Sequence, residues 1–119
     1  MDFKLTEDQQ AFQKTARDFA QSELPEAAQI CETEASPPTH ELIRKYGEMG
    51  FLGINVPEEY GGLGLGNIDA LIVLEEFAKI SSAIAFPVFE SCVGPVKAIE
   101  HFAEESLKKR VIQEVCSDE

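Results

Sequence analysis

At 119 residues the chain is long enough for one domain with a modest core, or for a piece of a larger protein. Ten Lys and Arg against 22 Asp and Glu leave a net charge of −12, which argues against nucleic acid and anionic membrane surfaces as partners, since both need a basic footprint. Three cysteines, Cys31, Cys92 and Cys116, are odd in number and form no C-x-x-C pair, so a reducing compartment fits better than a disulfide framework.

The amino end, MDFKLTEDQQ, is polar and acidic and is no signal peptide. A cytoplasmic location of the bacterial type is expected, with the mitochondrial matrix left open. Thr6, followed by Glu7, Asp8 and Gln9, reads as a capping box with acids at the positive end of a helix. Phe12, Ala16, Phe19 and Ala20 then recur at helical spacing as one apolar stripe. Pro25 suits the first turn of a second, short helix running to about Ile30, and ETEASPPTH reads as a loop. Thr39 caps a third helix with Leu42, Ile43, Tyr46 and Met49 facing inward, and Gly50 ends it.

GGLGLG, Gly61 to Gly66, raises the question of a phosphate cradle. The nucleoside triphosphate loop needs G-x-x-x-x-G-K-[ST], and no lysine follows Gly66. The dinucleotide fingerprint G-x-G-x-x-G fails too, because Asn67 or Asp69 stands where the third glycine belongs. Asp69 would also occupy the positive helix end that an anion wants. The favoured reading is a tight connection closed by Asn67 as N-cap.

Asn67 opens a fourth helix with Ile68, Leu71, Leu74 and Phe77 predicted inside. A fifth starts at Ser81 or Ser82 and is apolar on nearly every side from Ala83 to Ala103, the mark of a central buried helix. Glu90, Lys97 and Glu100 interrupt it, against a membrane span of about 20 apolar residues, and Pro87 and Pro95 are expected to kink or divide it. A last amphipathic helix carries Leu107, Val111 and Val115, with Lys108, Lys109 and Arg110 placed to complement its dipole. Strand signals are weak, so the class is all-α, a bundle of about five to six helices. His40 and His101 stand apart with no partners at ligand spacing, so no metal site is expected.

MGFLGINVPEEYGGLGLGNIDALIVLEEFAK closely resembles the amino-terminal helical domain of acyl-CoA dehydrogenases. That family shows G-[LF]-x-[GA]-x-x-x-P-E-E-Y-G-G-x-G and then a helix holding E-E-[LF]-A. Gly50 to Gly53, Pro57 to Gly62, Gly64, and Glu75 to Ala78 match it. LTEDQQAFQKTARDFAQSELPEAA resembles the family's first helix pair, and EESLKKRVIQEVCSDE its E-E-Q-K-x-x-Y-L-P-x-L-x-x-G-E. Leu107, Val111, Gln113 and Asp118 depart from that last pattern, where the family has glutamine, tyrosine, proline and glycine.

The resemblance covers essentially the whole chain and makes residues 1–119 the amino-terminal α-domain. The family's middle β-domain and carboxy-terminal α-domain, with the catalytic glutamate and most flavin contacts, are absent from it. It implies α,β-dehydrogenation of an acyl-CoA with FAD as cofactor, an electron-transfer flavoprotein as acceptor, and a homo-oligomer at full length. For the chain alone it implies no catalytic residue, no cofactor-binding residue and no activity. Aligning Val93 to Pro95 with the family's V-G-P places Ala85, Phe86 and Phe89 near the distal end of the acyl cavity, a substrate-binding wall; the alternative is plain core packing. Two bulky rings and the lack of Arg or Lys between Ser81 and Val96 favour a short, branched or cyclic apolar acyl group over long-chain or dicarboxylic ones. Glu90 is the one carboxylate in this apolar stretch, expected to face a polar partner or another domain. An apolar surface for docking those domains is also expected. The rival readings are a free-standing helical interaction module and one part of a split enzyme, neither catalytic on its own.

Overall fold

The computed structural model describes residues 2–117 and is all-α, as the sequence patterns predict. Among the described residues, six helices and one short 3-10 turn follow in order: α1 (Glu7–Glu34), α2 (His40–Glu48), the turn Glu58–Tyr60, α3 (Asn67–Ala78), α4 (Ser82–Cys92), α5 (Pro95–Phe102) and α6 (Glu105–Ser117). The domain is a slab of 40 × 40 × 21 Å. Its thin dimension is that of two helix layers, since packed helices lie about 8–10 Å apart.

Thr6 closes the capping box: its hydroxyl accepts from Gln9 N–H at 3.1 Å, and the Gln9 side chain accepts from Thr6 N–H at 3.0 Å. α1 then runs unbroken through Pro25, so the predicted second helix is a continuation of the first, and Glu32 to Glu34 belong to it rather than to a loop. Pro25 removes one backbone donor, but both it and Gln21, whose carbonyl it would have bonded, are exposed to water. The apolar stripe continues past the proline through Leu24 and Cys31, and packing along that stripe outweighs the local break. Thr39 caps α2, accepting from Leu42 N–H at 3.2 Å. Leu42 and Tyr46 point inward as predicted, while Met49 is nearly half exposed.

Phe77 is the hub of the main core. Its ring lies 5.7 Å from Phe19, 5.1 Å from Tyr46 and 5.3 Å from Phe51, centroid to centroid. Ala16, Leu24, Val73, Ile84 and Val88 fill the space around these rings. The Tyr46 hydroxyl donates to the Ile84 carbonyl at 3.0 Å, so the core's buried phenol keeps a partner. A second, smaller cluster of Val56, Tyr60, Val96, Ile112 and Cys116 joins α5, α6 and the 3-10 turn.

α3 turns a different face inward from the one its periodicity predicts. Ile68 and Leu71 are about half exposed, while Ala70, Ile72, Val73 and Glu76 are buried with Phe77. This helix is apolar nearly all round, so spacing alone cannot select a face. Its N-cap is Gly66 rather than Asn67; the Asp69 carboxylate accepts the Gly66 N–H at 2.9 Å. In α6 the inward residues are Ile112 and Cys116, with Val111 and Val115 only half-buried and Leu107 exposed. Lys108, Lys109 and Arg110 fall in its first half, too early to complement the carboxy-terminal dipole. Asp118 lies outside the described residues.

The long apolar stretch is two helices, not one central helix. Ser82–Phe102 as a whole is long and apolar enough to cross a membrane by length and composition alone. It breaks at Val93 and Gly94 into pieces of 11 and 8 residues, each short of the roughly 20 a span requires. Pro95 starts α5, where a missing N–H is harmless, and Pro87 is carried inside α4. Ala83, Phe86, Phe89 and Phe102 are exposed along it.

Candidate functional site

The glycine loop has no donors left for a phosphate. The N–H groups of Gly61, Gly62, Leu63, Gly64 and Leu65 donate to the carbonyls of Glu58, Pro57, Gly53, Val56 and Ile54, and that of Gly66 donates to Asp69. A Cβ on Gly62 would sit 2.2 Å from the Val56 carbonyl oxygen and 2.6 Å from that of Gly53. Glycine is needed there because two backbone segments cross in contact. The loop is a structural knot that carries the chain into α3, and its residues do not fit the diphosphate of a dinucleotide cofactor.

Carboxylates elsewhere divide by environment. Glu58, Glu59, Glu75 and Glu90 are exposed, so among the described residues Glu90 faces solvent rather than a buried polar partner. Glu76 is different, at 3% exposure, and sequence reasoning missed it. Its Oε1 accepts from Arg17 Nη2 and from Lys79 Nζ, both at 3.0 Å, and its Oε2 from Arg17 Nε at 3.3 Å. The Arg17 hydrogen bond holds the Glu76 carboxyl below its ordinary range, against the opposing effect of burial. A carboxylate held ionised by two cations is a poor proton acceptor, so Glu76 fastens α1 to α3 rather than serving as a base. The readable signal was its partner: Arg17 falls just beside the apolar stripe of α1.

A second polar group gathers where α5 meets the loop. Lys97 Nζ donates to the Asn55 carbonyl and to Glu100 Oε2, both at 2.8 Å, and Asn55 Nδ2 donates to Asn67 Oδ1 at 2.7 Å. These bonds fix the entry to α3 against α5. Among the described residues, no group of three or more His, Cys, Asp or Glu is placed to hold a metal ion.

The three residues singled out on α4 do come together. Ala85, Phe86 and Phe89, with Ser82, form one side of a groove of about 210 Å³ whose other side is Leu74 and Ala78 of α3. Phe86 is 54% exposed and Phe89 37%, with ring centroids 5.3 Å apart and planes inclined at 37°. Ala85 is buried at the floor. The core-packing alternative therefore applies to Ala85, while the two aromatics stand at an open surface. Ser82 is the one polar side chain of the lining. Half-exposed Ile68 and Leu71 lie on the adjoining part of α3, so the apolar surface extends beyond the groove.

Comparison with known proteins places this geometry. The family model for the acyl-CoA dehydrogenase amino-terminal domain matches residues 6–119. Glutaryl-CoA dehydrogenase of Desulfococcus multivorans is 36% identical over 121 residues, covering 100% of this chain and 31% of the relative. Mitochondrial isobutyryl-CoA dehydrogenase of Dictyostelium discoideum is 34% identical over 117 residues, covering 97% and 27%. The solved glutaryl-coenzyme A dehydrogenase–glutaryl-CoA complex superposes with a TM-score of 0.90 at 36% identity, over 99% of this chain and 30% of that one. The chain thus spans only 27–31% of the length of these two relatives. By sequence and fold together, it belongs to the acyl-CoA dehydrogenase family, as the amino-terminal helical domain.

Proposed function

We propose that this domain serves an FAD-dependent acyl-CoA dehydrogenase, in which the α3–α4 face walls the distal end of the acyl pocket and receives the remaining domains. The observation that carries the reading is the groove of Leu74, Ala78, Ser82, Ala85, Phe86 and Phe89, open at the surface and lined almost wholly by carbon. Its 210 Å³ falls below the roughly 300–1,000 Å³ of a complete ligand site. It suits part of a ligand, closed from the other side by another domain. Each acyl methylene buried there contributes about 0.8 kcal/mol.

In this reading the complete enzyme would hold FAD, which would supply the capacity to accept a hydride, and a carboxylate would serve as the base toward the α-proton. Residues 2–117 supply neither group; they shape the apolar wall and exclude water from it. An electron-transfer flavoprotein is the electron acceptor in this reading, and the complete enzyme is a homo-oligomer.

The substrate is a short, branched or cyclic apolar acyl-CoA. The branched acyl group in the name of the isobutyryl-CoA relative supports this. Glutaryl-CoA, named for the other relative, carries a second carboxylate, and no Lys, Arg or His lines the groove to neutralise one. Lys79, next to Ala78, is held by Glu76. The test is kcat/KM across a series of acyl-CoAs for the complete wild-type enzyme and Phe89→Ala. Wild-type preference for short apolar groups, relaxed toward longer ones by Phe89→Ala, supports the reading. A wild type that favours long-chain or dicarboxylic substrates, or a mutant with an unchanged profile, refutes it.

A further inference from the structure

The end of α4 does more than stop a helix. The N–H groups of Val93 and Gly94 both donate to the Phe89 carbonyl, at 3.0 and 2.9 Å, and the Phe89 side chain lies over the same break. A Cβ on Gly94 would fall 2.8 Å from Phe89 Cε1, 3.2 Å from Cζ and 3.3 Å from Cδ1. Side-chain carbons do not approach that closely in a packed interior, so the ring occupies the volume that a methyl group would take. On its other side stands Phe86, and both rings border the groove.

We propose that Gly94 is a specificity-determining position: the missing Cβ lets Phe89 lie back over the α4–α5 break and so fixes how much of the groove is left for an acyl group. The proposal rests on the groove being the far wall of the acyl pocket. The closest approaches of a methyl group at 94 are all to the edge of a movable ring, so Phe89 is what yields. Pushed away from Gly94, the ring moves toward Phe86 and across the groove. The accepted acyl group becomes shorter. Gly94 touches no substrate in this arrangement; it is a positioning residue acting through Phe89.

The experiment is a double-mutant cycle on the complete enzyme, with kcat/KM measured along a homologous acyl-CoA series for wild type, Gly94→Ala, Phe89→Ala and the double variant. Gly94→Ala should lower kcat/KM for the longest accepted acyl group about tenfold relative to the shortest, the discrimination typical of one methylene. In the Phe89→Ala background the added methyl has no ring to displace, and the length profile should change less than about twofold. If Phe89→Ala leaves the profile untouched, the acyl-wall reading itself fails. If Phe89→Ala changes the profile but Gly94→Ala does not, lengthens the preference, or acts equally in both backgrounds, the proposal is overturned and Gly94 is only a helix stop. Should Gly94→Ala prevent folding, Phe89→Leu, which removes the ring edge, must restore it; failure to do so also overturns the proposal.

Discussion

Replacing Glu76 by glutamine tests the physical account of the fold most sharply. The carboxylate accepts three charge-assisted hydrogen bonds, two from Arg17 and one from Lys79, and is almost fully buried. Removing one partner of a fully buried ion pair costs about 3–5 kcal/mol, because the other charge is stranded. Here Arg17 and Lys79 remain 45% and 53% exposed and can turn to water, so the stranded-charge cost is small. What remains is the exchange of charged for neutral acceptor, about 1–2 kcal/mol for Glu76→Gln after desolvation of the carboxylate is subtracted. Because folding depresses the Glu76 pKa, its stabilisation is fully present above the unfolded carboxylate value and is lost as pH falls through the folded one. The gap between wild type and Glu76→Gln should therefore be constant at neutral pH and begin to close below about pH 4.3. Urea melts followed by far-ultraviolet circular dichroism at a series of pH values measure it. Other carboxylates titrate alike in both proteins, so the difference isolates this one. A gap under about 0.5 kcal/mol at pH 7, within the range of ordinary surface changes, would refute the reasoning, and so would a gap unchanged to pH 3.

The crossing at Gly62 should make Gly62→Ala cost at least about 1–3 kcal/mol, while Gly66→Ala, whose Cβ meets only Asp69 Oδ2 at 3.4 Å, stays well below that in the same melts. Equal effects would mean that the crossing is not tight. Tyr46→Phe removes the hydroxyl bonded to Ile84 and should cost about 1 kcal/mol, read as a Tm lowered by about 3–6 °C; no change would show the hydroxyl to be dispensable. All three thiols are buried, and burial pushes the Cys116 thiol up to about 11. Iodoacetamide at pH 8 should therefore label Cys116 only after denaturation. Rapid native labelling would show that α6 undocks from the Gly53 loop.

How much of this was legible in the sequence depends on whether the deciding interaction was local. Both threonine caps were, because a cap is made within three residues of itself. Motif spacing and Asp69 at the helix end argue against a phosphate cradle in the glycine loop, and the internal bonding of its N–H groups supplies the structural reason. Pro25 was misread because an exposed proline in a long helix loses one bond, whereas the stripe from Ala16 to Cys31 gains a whole packing face. The inward face of α3 could not be read from a helix apolar on every side. Glu76 is legible only indirectly, through Arg17 beside the α1 stripe, because the pairing joins residues 59 apart. At the candidate site, the grouping of Ala85, Phe86 and Phe89 comes from the family resemblance at Val93 to Pro95, with the one-turn spacing of Ala85 and Phe89 allowing a shared face. The α3 side of the groove does not, because Leu74 and Ala78 reach it only through the packing of α3 on α4.

The most direct test of the functional account is flavin absorbance before and after anaerobic addition of a short acyl-CoA, measured on the complete polypeptide and on the 119-residue chain alone. The account predicts a yellow complete protein that bleaches on addition and a colourless 119-residue chain that neither retains FAD nor supports dye reduction. A complete polypeptide that binds no flavin, or a 119-residue chain that is itself yellow and is bleached by the acyl-CoA, would contradict it.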